Sequence, residues 1–564
     1  MTRTWTDRGT QLALACGTLA WLGATACSPA AMAGAPRGSS TRERFLQLEQ
    51  RYADARDLYA QIRITEARGA TRSAHDSPLS DLEAAYEVER TSLIGSLASL
   101  DSTQLGGDDR RAYRTMRLAL DVGVIDSSAT PAMVSCAYDP GALSAGEGGF
   151  ARLGARIYEC FGQAARSIVI GKDTLDRLTI VGRLESEEDP VERHRYFMAL
   201  LPLWLSMDGD NGPTSPYRTL VKLAEADWRT NGSYIASQAR SLDVDSAHVE
   251  PMLVEILEAW RDRNAAAAVE PWDWWYANGA ASRKLSVRVT TEALRALNDR
   301  YYADVGAEPT SLGIHYDLAP RDGKTPVAFT DFGAYPRRER GRWTGIEPWV
   351  FATYRAGGLA NLSELLHETG HAIHIAAIRT RPAWTDWPDS DPFTEALGDL
   401  LALDVTEPEW QQKYLGDSAT TAEAMRGRYG GIVLDVAWAL FELRMLADPS
   451  RDPNATWADI TSTYLRIAPH PGLAWWAMRG QLVDQPGYML TYALAAIAAA
   501  DLRAQIVADH GPFWRGDRRT YDRLSSRFYR WGLERPTREV LRDFLGRAIT
   551  TNAILRDMQR LSER

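Results

Sequence analysis

The chain has 564 residues, a formal net charge of −10 and a charged fraction of 24%. Its hydrophobic fraction of 45% is ordinary for a soluble globular protein, so the composition excludes a mainly disordered or collagenous chain. The negative charge argues against nucleic acid as the main partner, because binding phosphates needs a basic surface. The length suggests three or four domains of about 150 residues, although large helical enzymes also reach this size as one unit.

The N-terminal segment has the pattern of an export signal. Two arginines precede an apolar stretch, Leu12 to Cys27, which is followed by small residues. Ala31 to Ala33 fits a cleavage site, so we expect residues 1–33 to be the signal and residues 34–40 a flexible tether. Two alternatives stay open: a lipoprotein signal that would place a lipid anchor on Cys27, and an uncleaved membrane anchor. We expect an exported protein that is periplasmic, lipid-anchored or secreted.

Export also affects which cysteines remain in the mature protein and whether they can form a disulfide. Two of the four cysteines, Cys16 and Cys27, fall within the signal, which leaves Cys136 and Cys160. An oxidising compartment would allow those two to form a disulfide, and two free buried thiols are the alternative.

From Thr41 onward the pattern is mostly helical. Apolar residues recur at three- and four-residue spacing over 42–67, 81–99, 108–121 and 247–268. No later segment holds about 20 continuous apolar residues, so we expect no further membrane span. The pattern predicts a mainly α fold.

Strand-like segments occur together near the middle of the chain. Residues 326–333 and 347–355 are short, aromatic and β-branched. Four arginines between positions 337 and 342 separate them, in the place of a hairpin loop. We interpret these arginines as solvated, with an anion contact as the alternative. The two segments predict a small β-sheet within a helical protein.

An H-E-x-x-H motif, His367 to His371, lies in a helical pattern that runs from 365 to 378. The four-residue spacing puts both imidazoles on one face of the helix, where they can hold a single metal ion. Glu368 lies beside them, in position to take a proton from a water that the metal activates. Two helix histidines that are bound by neighbouring groups are the alternative interpretation.

A catalytic zinc site needs three protein ligands and one open position. The pattern with a third histidine six residues after His371 is excluded, because Ala377 stands there. Glu395, near the start of a second predicted helix, is the predicted third ligand, with a solvated carboxylate as the alternative. Asp399 lies one turn further on and is expected to accept a hydrogen bond from the far nitrogen of a ligand histidine.

Tyr488 and Tyr492 lie one turn apart at the start of a long apolar helix. Either phenol could donate a hydrogen bond to an oxyanion that develops during hydrolysis. Two tyrosines at this spacing are more typical of a buried core, so the spacing alone is a weak indication.

These motifs resemble those of the glutamate-type zinc peptidases (gluzincins), and more narrowly the group that contains thimet oligopeptidase, oligopeptidase F and angiotensin-converting enzyme. His367 to His374 resembles the H-E-x-G-H-x-x-H of the thimet group. Phe393 to Leu403 resembles the F-H-E-A-I-G-D-V-L-A-L of the converting-enzyme family. Gly487 to Tyr492 is similar to the G-Y-x-x-x-Y of the thimet group, whose tyrosines assist the oxyanion.

The resemblance implies a two-lobed helical fold with a zinc ion at the floor of a deep central cleft and a small β-sheet beside the H-E-x-x-H helix. It implies a helical N-terminal lobe over residues 41–300 and a catalytic zinc-peptidase region over 301–564. It also implies a short peptide as substrate, with its backbone paired to the sheet edge through Trp349 to Tyr354. We expect a monomer.

One part of the family pattern is missing. Both families carry a histidine shortly before the tyrosine pair, whereas residues 479–485 contain none. His470 is the nearest upstream histidine, and Gln481 or Gln485 offers a hydrogen-bond donor instead. Arg479 stands near the place where the converting-enzyme family holds a substrate carboxylate with a lysine.

The leading hypothesis from the sequence is an exported zinc metallopeptidase, of the oligopeptidase or peptidyl-dipeptidase type, that hydrolyses short peptides. Its metal ligands would be His367, His371 and Glu395. Its other catalytic residues would be Glu368, Tyr488 and Tyr492. Two alternatives stay open: a peptide-binding protein that has lost catalysis, and a zinc amide hydrolase with a non-peptide or dedicated substrate.

Overall fold

The structure, a computed structural model, describes residues 40–68, 78–121, 134–264, 267–321, 324, 327–335, 338–339, 342–343 and 346–563. The predicted export signal at 1–33, the tether up to residue 39 and the lipid-anchor site at Cys27 lie outside these residues. They stay predictions.

The described residues are mainly helical, as the apolar spacing predicts. The first helices are α1 (Thr41–Ala67), α2 (Pro78–Ala98) and α3 (Gly107–Asp121). They are followed by α4 (Pro140–Ser144), α5 (Gly149–Arg166), α6 (Arg177–Ser186), α7 (Pro190–Met198), α8 (Leu201–Asp208), α9 (Pro216–Asn231), α10 (Tyr234–Ser241), α11 (Val249–Arg263), α12 (Trp274–Asn278), α13 (Ala280–Leu285) and α14 (Thr291–Asp304). The later helices are α15 (Leu359–Ala377), α16 (Asp391–Ala402), α17 (Pro408–Leu415), α18 (Thr421–Ala447), α19 (Pro453–Ile460), α20 (Gln481–Asp484), α21 (Met489–His510), α22 (Thr520–Arg527), α23 (Thr537–Leu545) and α24 (Asn552–Asp557).

The strands form three small sheets. They are β1 (Ile168–Ile170), β2 (Asp173–Leu175), β3 (His315–Asp317), β4 (Phe329–Phe332), β5 (Arg338–Glu339), β6 (Arg342–Trp343) and β7 (Pro348–Phe351). β1 pairs with β2, β5 pairs with β6, and the third sheet has the order β3-β7-β4. The antiparallel pairing of β4 with β7 confirms that the two predicted strand segments belong to one sheet. This sheet packs against α15, the helix of the H-E-x-x-H motif, as expected.

The predicted sheet edge at Trp349 to Tyr354 is wrong. β7 is the central strand, because Val350 pairs with Tyr316 of β3 on one side and with Thr330 of β4 on the other. β7 therefore has no free edge at which a peptide could pair, because β3 and β4 occupy both of its edges. Its three residues are too few to show a strand period in the sequence, and the pairing is parallel and crosses more than 30 residues of chain.

Helix α21 lies within the core. It is 22 residues long, and its most apolar window has a mean hydropathy of 1.3, so it is long and apolar enough to cross a membrane. However, 67% of that window is buried inside the fold, where α21 packs against α16 and α18. The helix has the burial of a core helix, and its N-terminal end carries the predicted tyrosine pair.

The N-terminal helices have a small core of their own. Helices α1 to α3 pack around a buried cluster that also takes in Ala383 and Trp384. Arg381 joins them to the rest of the fold, because its guanidinium donates to Glu49 at 2.7 Å and to Asp109 at 2.8 Å. The largest buried cluster contains residues on both sides of position 300. The division into 41–300 and 301–564 stays a prediction.

Cys136 and Cys160 form a disulfide, with their Cα atoms 5.7 Å apart. The prediction that they pair is confirmed, and the free-thiol alternative is wrong. The bridge ties the segment before α4 to helix α5, at a sequence separation of 24 residues.

Candidate metal centre

Helix α15 presents the two motif histidines side by side. The imidazole rings of His367 and His371 lie 4.6 Å apart and nearly perpendicular, and their Nε2 atoms are 3.0 Å apart. The spacing of four residues produces this arrangement, because residues i and i+4 stack one turn apart on one face of a helix. Two imidazole nitrogens therefore face one point.

Helix α16 brings a carboxylate to the same point. The Ser390 hydroxyl caps α16 by accepting from the N–H of Phe393 at 3.3 Å, and Pro392 fits the first turn because no intrahelical partner is needed there. Glu395, the fifth residue of α16, follows at the start of the next turn. Its Oε2 atom lies 3.4 Å from Nε2 of His367 and 3.8 Å from Nε2 of His371.

Two glycines allow this approach of α15 and α16. A Cβ atom on Gly370 would lie 2.4 Å from the carbonyl oxygen of Gly398. A Cβ atom on Gly398 would lie 2.9 Å from Nε2 of His371 and 3.0 Å from Cε1 of His367. Real Cβ atoms do not make contacts this short, so only glycine at both positions keeps the two helices in register. Both glycines lie within the sequence motifs, but the motifs alone do not show that the two helices meet there.

Asp399 takes the place that the helix spacing predicts. Its Oδ1 atom lies 2.7 Å from Nδ1 of His367. A hydrogen bond at Nδ1 leaves Nε2 of the same ring as the free donor atom, and it fixes the orientation of the ring. Asp399 therefore holds the His367 ring in an orientation that turns Nε2 toward His371 and Glu395.

The carboxylates of Asp399 and Glu395 dominate the electrostatics around His367. Burial disfavours a charge on His367, but Asp399 and Glu395 outweigh it and raise its pKa well above the usual range. Burial also favours a neutral Glu395, but hydrogen bonds and charge from His367 and His371 outweigh it and lower its pKa well below the usual range. Glu395 is thus a carboxylate, the form that binds a cation.

The donor set of these three side chains fits a divalent metal. One ligand atom each from His367, His371 and Glu395 lie within 4.8 Å of one another. Two imidazoles and one carboxylate are the ligands of a catalytic zinc site that keeps one position open. No other group of three such side chains converges in this way within the described part of the chain.

Glu368 is buried beside this cluster and has a fixed orientation. The Thr330 hydroxyl on β4 lies 2.7 Å from Oε2 of Glu368 and 2.8 Å from its backbone carbonyl oxygen. Thr330 is itself buried. Thr330 lies in a strand-like segment of the sequence, but no sequence signal shows that this segment packs against α15.

Tyr492 and Tyr488 both lie near the carboxylate ligand, but they differ in their contacts. The Tyr492 hydroxyl accepts a hydrogen bond from Nε2 of Gln481 at 3.3 Å. Burial, and then the charge of Glu395, raises the pKa of Tyr492, so its phenol stays protonated and can donate. Tyr488 is 6% exposed and packs edge-on against Tyr492, with ring centroids 5.6 Å apart.

Three residues could take the place of the missing family histidine: His470, Gln481 and Gln485. Of these, Gln481 is the one that donates a hydrogen bond to Tyr492. His470 instead lies 2.7 Å from Glu270 and packs against Trp272. Arg479, the candidate for a substrate carboxylate, pairs with Asp435 through a hydrogen bond.

Glu442 on α18 is a further residue that the sequence analysis missed. Its two carboxylate oxygens accept from the N–H groups of Gly487 and Met489, each at 2.8 Å. Helix α21 has no side-chain cap of its own, so Glu442 supplies one from a neighbouring helix. Gly487 has φ +88°, a conformation that favours glycine, and the turn it makes sets the start of α21. Glu442 thereby fixes the turn that carries Tyr488.

His374, the third histidine of the motif region, is a core residue. It is fully buried between the rings of Trp387 and Tyr529, at centroid distances of 5.5 and 5.2 Å. Burial lowers the pKa of His374 to about 3, so the ring is neutral.

The comparisons with known proteins identify a fold. No family model matches the chain, and the search of curated proteins finds no match. The similarity to the solved M32 carboxypeptidase from Deinococcus radiodurans R1 covers 91% of this chain and 97% of that chain, with a TM-score of 0.57 and 14% sequence identity. This chain has the fold of that carboxypeptidase. The similarity supports the coarser resemblance, a fold shared with a peptidase, and the narrower resemblance to the thimet and converting-enzyme group stays a prediction.

Proposed function

We propose that this protein is a zinc metallopeptidase that hydrolyses peptide bonds of short peptides. The observation that carries the proposal is the convergence of His367, His371 and Glu395 next to the buried carboxylate of Glu368. The M32 carboxypeptidase with the same fold supports a peptide as substrate, since that protein is named for peptide cleavage.

In this proposal the two histidines and Glu395 hold zinc, and Asp399 orients His367. Zinc, when bound, polarises the scissile carbonyl and lowers the pKa of water. Glu368 takes the proton from the attacking water and later delivers it to the leaving amine. Thr330 supports that role, because its hydroxyl holds Oε2 of Glu368 at 2.7 Å and limits the directions in which the carboxylate can point.

Tyr492 is the proposed donor to the developing oxyanion. Its phenol is protonated, because burial and the charge of Glu395 raise its pKa, and Gln481 donates a hydrogen bond to its oxygen. A donor held in place before the reaction stabilises new charge without reorganisation. Tyr488 is more buried and supports the ring of Tyr492.

The peptide backbone is proposed to pair with the outer edge of β4. The N–H of Gly333 donates inward to Glu347 at 2.8 Å, so by the alternation of an antiparallel ladder the N–H groups of Thr330 and Phe332 point outward. The Asp331 side chain accepts from the N–H of Phe332 at 2.8 Å. Thr330 touches Glu368, so this position brings β4 next to the candidate metal centre.

The two alternative functions that the sequence leaves open assign different chemistry to the same site. A peptide-binding protein without catalysis would retain peptides uncleaved, and a zinc amide hydrolase would cleave non-peptide amides. The described ligand set, base and donor are all those of a hydrolase, which favours catalysis over binding alone. The export of the protein remains part of the proposal, and it rests on the sequence of residues 1–33.

The variant Glu368→Gln tests the mechanism. We expect it to keep zinc, because Glu368 is not a ligand, and to lose turnover of a mixed short-peptide library by about 10²- to 10⁴-fold. Glu258→Gln is the matched control, since Glu258 is an exposed glutamate on α11. Mass spectrometry of the products and metal analysis of each protein are the measurements. Undiminished cleavage by Glu368→Gln would overturn the mechanism, and peptide retention without cleavage by the wild type would favour the binding protein.

A further inference from the structure

Glu364 lies one turn before Glu368 on α15, on the side of the helix that carries the candidate centre. Residues three and four positions apart share a helix face, so Glu364 lines up with both His367 and Glu368. It is not one of the three converging metal ligands. The proposed mechanism therefore leaves this carboxylate without a role.

The candidate centre is most exposed to solvent at this end of α15. The side chain of His371 is 2% exposed, that of His367 is 22% exposed, and Glu364, the next residue of this face toward the N-terminus, is exposed. Asp399, which contacts His367, is also 30% exposed. Because exposure rises along this face toward Glu364, a substrate that comes from solvent reaches the centre on the side where Glu364 lies.

The other carboxylates of α15 and α16 each have a defined partner. They are Glu368, bound by Thr330, Glu395, which faces both ligand histidines, Asp399, which lies 2.7 Å from His367, and Asp391, to which the Tyr234 hydroxyl donates at 2.9 Å.

Glu364 differs from them, because it forms no ion pair with any residue that the structure describes. Its neighbour Tyr354 brings no counter-charge, since burial and then the charges of Glu364 and Glu368 raise the pKa of the phenol and keep it protonated. Desolvation by the surrounding protein, and then the charge of Glu368, raise the pKa of Glu364 to about 7. A cation beside Glu364 would offset that repulsion and favour the ionised carboxylate.

We propose that Glu364 binds a cationic group of the peptide substrate and so favours peptides that carry a positive charge. The inference rests on the proposed peptidase function and extends it to substrate choice. An ammonium or guanidinium group donates a charge-assisted hydrogen bond to a carboxylate and supplies the counter-charge that Glu364 lacks. The cation has two sources in peptides, the N-terminal amine and a basic side chain, and the same chemistry serves both.

Three matched peptides distinguish the two sources. The first has a free N-terminal amine and no basic side chain, the second is its N-acetylated form, and the third is the acetylated form with one lysine in place of a leucine. A preference of the wild type for the first over the second assigns Glu364 to the chain terminus. A preference for the third over the second assigns it to a basic side chain. Either result supports the proposal if Glu364→Gln removes it.

Glu364→Gln and Glu364→Asp are compared with Glu258→Gln, the exposed glutamate control on α11. We expect Glu364→Gln to lower the ratio of kcat/KM between the charged and the neutral peptide by about 10-fold, the lower end of the effect for a hydrogen bond to a charged group, because the site is open to water. Glu364→Asp keeps the charge and should retain part of the preference. Glu258→Gln should retain all of it.

Binding without turnover gives a second measurement. In the inactive Glu368→Gln background, calorimetry should show the same loss of affinity for the charged peptide when Glu364→Gln is added. The wild-type preference should also weaken as salt is raised, because an ion pair open to solvent is screened.

Two failures are distinguishable. If the wild type cleaves none of the three peptides, nor any in the library, the proposed peptidase function is overturned. If it shows no preference for either charged peptide, or if Glu364→Gln keeps the wild-type preference with full zinc content, the role of Glu364 is overturned while the peptidase function stands.

Discussion

His367 is held by groups on two of its sides. Asp399 lies 2.7 Å from Nδ1, and Glu395 lies 3.4 Å from Nε2. Both carboxylates come from the same helix, one turn apart, so the orientation of α16 controls the ligand histidine and the third ligand together. A shift of α16 would therefore move Glu395 and Asp399 together.

The two tyrosines allow a prediction at the residue scale. Tyr492→Phe should lower kcat by about 10²- to 10³-fold, the usual effect of losing one oxyanion donor, while zinc content and KM change little. Tyr488→Phe should have a much smaller effect, because Tyr488 is buried against the Tyr492 ring. Steady-state kinetics on one short peptide measure both. A larger loss in Tyr488→Phe would assign the donor role to Tyr488 instead.

At the scale of elements, the decisive contact is the one between α15 and α16. The close approach at Gly370 and Gly398 lets a ligand from one helix reach two ligands on the other. The sheet adds the orientation of the base through Thr330, and α18 adds the start of α21 through Glu442. The base and the start of α21 are each positioned by a neighbouring element.

Gly370→Ala tests this contact. The new methyl group would lie 2.4 Å from the carbonyl oxygen of Gly398, so the helices must separate. We expect a loss of about 1–3 kcal/mol in the free energy of unfolding, together with weaker zinc binding. Gly431→Ala is the control, because Gly431 lies inside α18 with nothing within 4 Å of its Cβ position, and alanine there should stabilise by about 0.5–1 kcal/mol. Urea unfolding and zinc titration are the measurements, and unchanged zinc affinity in Gly370→Ala would contradict the role of the contact.

At the scale of the whole molecule, Arg381 connects the N-terminal helices to the segment that follows α15. Its side chain is 20% exposed, while those of its partners Glu49 and Asp109 are 6% and 11% exposed. The N–H of Ala383 also donates to Glu49, at 3.2 Å. This buried network fixes how α1 to α3 are attached beside the candidate centre.

Arg381→Met tests that attachment. Removal of the cation leaves the Glu49 carboxylate buried without its charge partner, so we expect a loss of about 3–5 kcal/mol in the free energy of unfolding. The double variant Arg381→Met with Glu49→Gln should recover most of it. Arg42→Met is the control: Arg42 also pairs with Asp109, at 3.0 Å, but is 68% exposed, so its loss should cost at most about 1 kcal/mol. Urea unfolding of the four proteins measures this. Equal losses in Arg381→Met and Arg42→Met would show that burial of the network does not matter.

The candidate ligands and base could be predicted because each lies within a local pattern. His367, Glu368 and His371 share one helix turn, and Glu395 and Asp399 share another, so helix geometry alone aligns them. The contacts of Thr330 and Glu442 could not be predicted from the sequence, since each acts on a group that is distant in the chain. The sheet edge was wrong for the same reason, because β3 joins β7 from more than 30 residues upstream.

The sequence by itself determined the mainly α fold, the small sheet and the residues that α15 and α16 bring to the candidate centre, because these follow from short-range periodicity and spacing. Only the tertiary structure decided which strand is central, which residue stands beside Tyr492, and which hydroxyl holds the Glu368 carboxylate. Those features depend on contacts between distant segments, and such contacts are set by packing and by the balance of buried charge, which no local pattern in the chain records.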